Sequence, residues 1–178
     1  SEGKVPGVVI CHPHPRFGGD MTNDVVMGMG QHLNAAGLAT LRFNFRGVGA
    51  SDGTHDNGNG EVDDALAAQA NLELDDAVDA SRIGIAGYSF GASIALQAAL
   101  DSSLAQAVFS VACPIGPFRA LSSLELLQPK MLVLGDHDHD FPVDEFRFLT
   151  KRFSQPKEVS VLSNADHFFR GLEAEIGQ

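Results

Sequence analysis

Gly87-Tyr88-Ser89-Phe90-Gly91 is the stretch of this 178-residue chain whose residue types and spacing could do chemistry. It reads G-x-S-x-G. Before it lies a strand-like run, Arg82-Ile83-Gly84-Ile85-Ala86, and after it a helix-like run from Ala92 to Leu100. A serine on a tight strand-to-helix turn is forced into a strained backbone conformation, and glycines on either side relieve the crowding. Its hydroxyl then stands above the carboxyl end of a sheet, with the N–H groups of the next helix aimed at the same point. Ser89 is therefore the candidate nucleophile.

A serine hydroxyl needs a general base, and the base needs an acid to orient it. Both types follow along the chain. The apolar run Lys130–Gly135 leads into Asp136-His137-Asp138-His139-Asp140-Phe141-Pro142. The run Glu158–Leu162 leads into Ser163-Asn164-Ala165-Asp166-His167-Phe168-Phe169. An acid just after one strand and a histidine just after the next would project from the same rim as Ser89 if the strands are parallel.

The elements that must position these groups alternate strand and helix, which predicts an α/β sheet. Gly7–Cys11 is a continuous apolar run, as expected of a strand buried on both faces. Asn23–Ala36 places Val25, Val26, Met29 and Leu33 on one helical face. Ala39–Phe45 is the second strand. Val62, Ala65, Leu66 and Ala70 mark a second helix. The strand into Ser89, a strand at Ala107–Ala112 and the two strands before Asp138 and His167 complete six. They are expected to be mostly or wholly parallel, because each connection is a helical crossover. A further helix starts at Pro142, with Phe146, Leu149 and Phe153 turned inward.

These motifs together resemble the α/β-hydrolase superfamily over nearly the whole chain. The resemblance implies a three-layer fold, with the second strand at one edge and the strand before His167 near the other. The family's acid ends a G-x-x-D pattern with a proline four residues on, which selects Asp138 between Gly135 and Pro142. A D-H-F-F-type segment selects His167. The oxyanion donors implied are the N–H of Phe90 and an amide in the loop after the first strand. That loop commonly reads H-G-x-P in the family and is His12-Pro13-His14-Pro15 here, so the resemblance implies the N–H of His14 as the matching donor, Pro13 and Pro15 having none to offer. Tyr88, Phe17 and Phe141 are the expected substrate-lining residues. The segments His12–Met21 and Arg42–Gly49 resemble small lidless bacterial hydrolases related to the dienelactone-hydrolase branch, although the nucleophile position carries serine where dienelactone hydrolases have cysteine. Relative to the family's usual eight strands, the N-terminal pair is expected to be missing and the helix after the histidine cut short at Gln178.

Composition agrees with one globular catalytic domain over 1–178 and no large lid: 44% hydrophobic and 20% charged residues, and no run near the roughly 20 apolar residues that span a bilayer. A net charge of −11 argues against nucleic acid or an anionic membrane as partner. No signal-peptide pattern opens the chain, so a cytoplasmic monomer or homodimer acting on a small ester is expected. Cys11 and Cys113 read as small buried residues rather than a disulfide.

Other readings compete with catalysis. His12, His14 and the Asp136–Asp140 cluster contain metal-ligating types, but no ligand spacing such as H-E-x-x-H is present, and neighbours on an extended loop point apart. No metal and no cofactor is expected. His12 is expected to fix its loop through a hydrogen bond, His32 and His55 to lie at the surface, and Arg42 and Arg46 to pair with acids. The chemistry expected is carboxylic ester hydrolysis by Ser89, His167 and Asp138. A thioesterase, lactonase or amidase would use the same three residues, and a non-catalytic binding protein on the same fold is the alternative of a different class.

Overall fold

The computed structural model describes residues 3–171. Six strands form one sheet in the order β2-β1-β3-β4-β5-β6, and every neighbouring pair is parallel. The elements are β1 (Val5–Cys11), α1 (Asp24–Ala35), β2 (Ala39–Arg42), α2 (Asn59–Glu73), β3 (Val78–Tyr88), α3 (Phe90–Asp101), β4 (Ala105–Val111), α4 (Ile115–Leu121), β5 (Lys130–Gly135), α5 (Val143–Thr150) and β6 (Lys157–Leu162). Three layers result. Crossovers between parallel strands are right-handed, so α1, which leads leftward from β1 to β2, lies on one face. The helices of the rightward crossovers, α2 to α5, lie on the other.

The core follows from this layering. Val9, Ile10, Ile83, Ile85, Leu132 and Leu134 are buried in strands covered by helices, which is why those strands read as near-continuous apolar runs. The helix α3 is walled in on most sides, with Ala92, Ile94, Ala95, Leu96, Ala98 and Ala99 all buried. Its small side chains let it lie close to β3, β4 and β1. Asn23 caps α1, its side-chain oxygen accepting from the N–H groups of Val25 and Val26. Both cysteines are free and buried. Among the described residues no helix is long and apolar enough to cross a membrane.

Most boundaries fall within about two residues of the pattern read along the chain, and two differ by more. The second strand ends at Arg42, not Phe45. Past Arg42 the backbone turns to other partners: Phe45 N–H donates to His12 Nε2 at 3.0 Å, and the Asn44 carbonyl accepts from Ser51 Oγ at 2.8 Å. The third strand begins at Val78, earlier than Arg82, because an irregularity between Val5 and Gly7 lets Val78 pair with Val5 before the main register starts at Ile83.

Candidate active site

The carboxyl ends of β3, β5 and β6 meet at one rim, and each delivers one polar group there. At the end of β3, Ser89 adopts φ 54° and ψ −120°, a region that non-glycine residues rarely occupy. The conformation is held from both sides: Ser89 N–H donates to Val111 O at 2.9 Å, and Ser89 O accepts from Ala92 N–H as α3 begins. The two flanking glycines are required by space. A Cβ on Gly87 would lie 2.1 Å from Gly91 O, and one on Gly91 would lie 2.2 Å from Cys11 O.

After β5 the chain makes a tight turn. His137 N–H donates to Ala165 O at 2.9 Å and Asp136 N–H to Leu162 O at 3.0 Å, so the acid loop is laced to the histidine loop that follows β6. Of the three candidate acids, Asp136 and Asp140 are exposed, whereas the Asp138 side chain is 1% exposed. Asp138 Oδ1 accepts from Asp140 N–H at 3.0 Å, and Oδ2 lies 2.7 Å from His167 Nδ1. His167 Nε2 lies 3.0 Å from Ser89 Oγ. With Nδ1–H donated to the carboxylate, Nε2 is left as an acceptor for the serine hydroxyl.

The electrostatics suit a proton acceptor. Burial pulls the His167 pKa down, but the hydrogen bond to Asp138 and the charges of Asp138, Asp140 and Asp166 more than offset it, so the pKa stands above its usual 6.5. Asp138, Asp140 and His167 are also close enough to hold a cation, yet Asp138 Oδ2 and His167 Nδ1 already face each other as hydrogen-bond partners. His12 has no ring nitrogen to spare: Nδ1 bonds Pro13 O at 2.7 Å and Nε2 accepts from Phe45 N–H.

An open cleft of about 1470 Å³ lies over Ser89 and His167. The loop after β1 contributes His14 and Phe17, and the segment after β4 contributes Ile115 and Pro117. The N–H groups of His14 and Phe90 have no acceptor among the described residues. Phe17 stands 88% exposed at the rim, its ring edge-on to His14. Tyr88 borders the cleft but is 3% exposed, and its hydroxyl donates to His167 O.

Three expectations need correction. Phe141 does not line the cleft. It is 1% exposed and packs on Phe118 and Phe146. Pro142 caps α5, so Phe141 is the residue before the cap and Phe146 the fourth helical residue, the pair that staples a helix start. His55 is not a surface residue either: its side chain is 10% exposed, beside the cleft and against the fully buried Glu61. Nothing in the sequence around His55 signals this, although Glu61 three residues after Gly58 has the spacing of an acid that reaches back to a helix start. Arg46 pairs with Asp64 at 2.8 Å as expected, while Arg42 donates to Met21 O instead of an acid.

Comparison with known proteins agrees with this architecture. The alpha/beta hydrolase fold family matches residues 7–123. An uncharacterized protein of Rickettsia prowazekii is 34% identical, over 97% of this chain and 76% of that protein. Among solved structures, an alpha-beta serine hydrolase homologue from Coxiella burnetii is 39% identical with a TM-score of 0.87, covering 99% of this chain and 84% of that one. A serine hydrolase without a lid from Xanthomonas campestris is 29% identical with a TM-score of 0.86, covering 99% and 80%. With its strained serine between two glycines and the family match over residues 7–123, the chain belongs to the α/β-hydrolase family.

Proposed function

We propose that the protein is a serine carboxylesterase that cleaves small, short-chain esters through an acyl-enzyme. The observation that carries this is the unbroken chain from Ser89 Oγ through His167 to the buried Asp138, with contacts of 3.0 and 2.7 Å. His167 Nε2 takes the hydroxyl proton as Oγ attacks the ester carbonyl carbon. Asp138 keeps the imidazole in the required tautomer and balances its charge once protonated. The free amides of His14 and Phe90 receive the oxyanion, and one such donor is worth about 3 kcal/mol of barrier. His167 then protonates the departing alkoxide. Water repeats the attack with His167 as base, releasing the acid. The cleft is open and α4 beside it is only seven residues long, so substrate reaches Ser89 directly from solvent.

The test is hydrolysis of a p-nitrophenyl ester series, acetate to decanoate, by wild type and Ser89→Ala. Activity that is highest on the shorter chains and vanishes in the folded variant supports an esterase. Equal rates in both proteins would remove Ser89 from the mechanism.

A further inference from the structure

A second acid–histidine pair lies beside the cleft and takes no part in the steps above. Glu61, in the first turn of α2, is fully buried. Its Oε1 accepts from Asp56 N–H at 2.9 Å and its Oε2 from Gly58 N–H at 2.8 Å. The His55 ring brings Nδ1 to 2.7 Å from Oε1, at an angle outside that of a hydrogen bond. Burial pushes the Glu61 carboxyl up, but these N–H groups and His55 more than offset it, holding the group below the usual carboxylate range. One anionic side chain thus gathers the 55–58 segment into a fixed bracket. Arg46 braces the same helix end from outside, bound to Asp64 and lying where a Cβ on Gly60 would sit.

The bracket has one outward product, the placement of the His55 ring. That ring packs on His14 at 4.8 Å and on Phe90 at 5.5 Å between centroids, and His14 packs on Phe90 at 4.8 Å. Three rings therefore touch pairwise. His14 and Phe90 come from elements on different strands, and they are the residues whose amides are free at the cleft. The His14 ring is itself fixed, its Nδ1 accepting from Arg16 N–H.

We infer that Glu61 and His55 are positioning residues for the oxyanion site: Glu61 holds the His55 ring, and the ring sets the spacing between the His14 and Phe90 amides. This rests on the serine-nucleophile mechanism proposed above. Positioning acts on the transition state, where a misplacement of about 1 Å costs roughly 100-fold. It does not act on ground-state binding.

The test uses the purified chain and an alkyl fluorophosphonate probe. Ser89 Oγ forms a bond to phosphorus, fluoride leaves, and His167 accepts the hydroxyl proton, so the reaction reports nucleophile and oxyanion site whatever the natural acyl group. Labelling rate, kcat per labelled site and KM on p-nitrophenyl acetate, and thermal midpoint are measured for wild type, His55→Ala, His55→Phe and Glu61→Gln. The expected result is a fall of about 10- to 100-fold in labelling rate and kcat for His55→Ala, with KM within about twofold. His55→Phe, which keeps a ring, should recover most of the loss, and Glu61→Gln should fall between. A purely structural role would lower the midpoint and the labelled fraction while leaving kcat per labelled site unchanged, and that outcome overturns the inference. Wild type that does not label at Ser89 would overturn the serine mechanism and this inference together. Wild type and His55→Ala labelling at equal rates would overturn this inference alone.

Discussion

The Tyr88 hydroxyl donates a 2.9 Å hydrogen bond to the main-chain oxygen of His167. The residue just before Ser89 thereby ties the end of β3 to the loop that carries His167. Burial first, and the charges of Asp138 and Asp166 second, push the Tyr88 phenol well above its usual pKa, so it remains a donor throughout the working pH range. Tyr88 thus holds the two strand ends in register, which explains why it is buried although it borders the cleft.

Tyr88→Phe removes that tie and little else. The carbonyl of His167 loses a partner, which should cost about 1 kcal/mol of stability. The freed loop should lower kcat about five- to tenfold, with KM nearly unchanged. Denaturant titration and steady-state kinetics on the same preparation check both halves. Unchanged kcat with the stability loss present would limit Tyr88 to a packing role.

The choice of acid can be tested with neutral isosteres. Asp138→Asn keeps the volume of a side chain that is 1% exposed but offers His167 the wrong partner, and loss of the carboxylate in such a triad costs up to about 10⁴-fold in kcat. Asp136 is exposed and its carboxylate lies 4.0 Å from His137 Nε2, while His167 Nδ1 is taken by Asp138, so Asp136→Asn should stay within about twofold of wild type. A larger loss in Asp136→Asn than in Asp138→Asn would transfer the role.

Much of this was legible in the sequence, for physical reasons. The strands are buried on both faces, so their apolar runs stand out, and the parallel order follows from helical crossovers between them. The elbow could be read because two glycines at fixed spacing are a steric necessity, as the 2.1 and 2.2 Å approaches of their missing Cβ atoms make plain. Asp138 was harder. Three aspartates alternate over five residues, and only the turn geometry decides which one points inward. Phe141 directly follows the acid loop, yet it is buried, because the staple with Phe146 depends on where α5 starts. His55 gives no signal because it sits in a loop without periodicity, and its contacts with His14 and Phe90 join segments far apart in the chain. The end of β2 is not legible in its apolar pattern, because His12, 33 residues away, captures the Phe45 amide.

The pH dependence has a definite sign. His167 must be neutral to accept a proton, and its pKa stands above 6.5. Activity should therefore rise with pH along a limb centred above 6.5, and Asp138→Asn should move that centre down. Stability runs the other way. A folded-state pKa above the unfolded one means that the His167–Asp138 pair contributes fully below the unfolded value and is lost as pH rises through the folded value. Thermal midpoints across this window should fall in wild type relative to Asp138→Asn. A wild-type activity limb centred below 6.5 would contradict the electrostatics of the site.

The cleft should also discriminate by charge. Asp56, Asp63, Asp101 and Asp140 border it, and no lysine or arginine does among the described residues. Of the nearby arginines, Arg46 pairs with Asp64 and Arg119 with Glu145, whereas Arg16 and Arg170 lie close enough to act on His14 and Tyr88 and offset part of this charge. A unit charge about 10 Å from one carboxylate in water feels about 0.4 kcal/mol, so the group of them favours a cationic over a neutral substrate by up to roughly tenfold in kcat/KM at low salt. An anionic substrate should be disfavoured to a similar degree. Acetylthiocholine and the thioacetate of 2-mercaptoethanesulfonate carry the same acyl group on leaving groups of opposite charge. Their kcat/KM ratio should favour the cation strongly at low ionic strength and shrink as salt screens the carboxylates. Replacing Asp63 and Asp101 with asparagine should narrow the ratio without altering turnover of a neutral ester, since neither side chain touches Ser89, His167 or Asp138. A ratio near one that ignores salt would mean that these carboxylates lie too far from the bound leaving group to steer it.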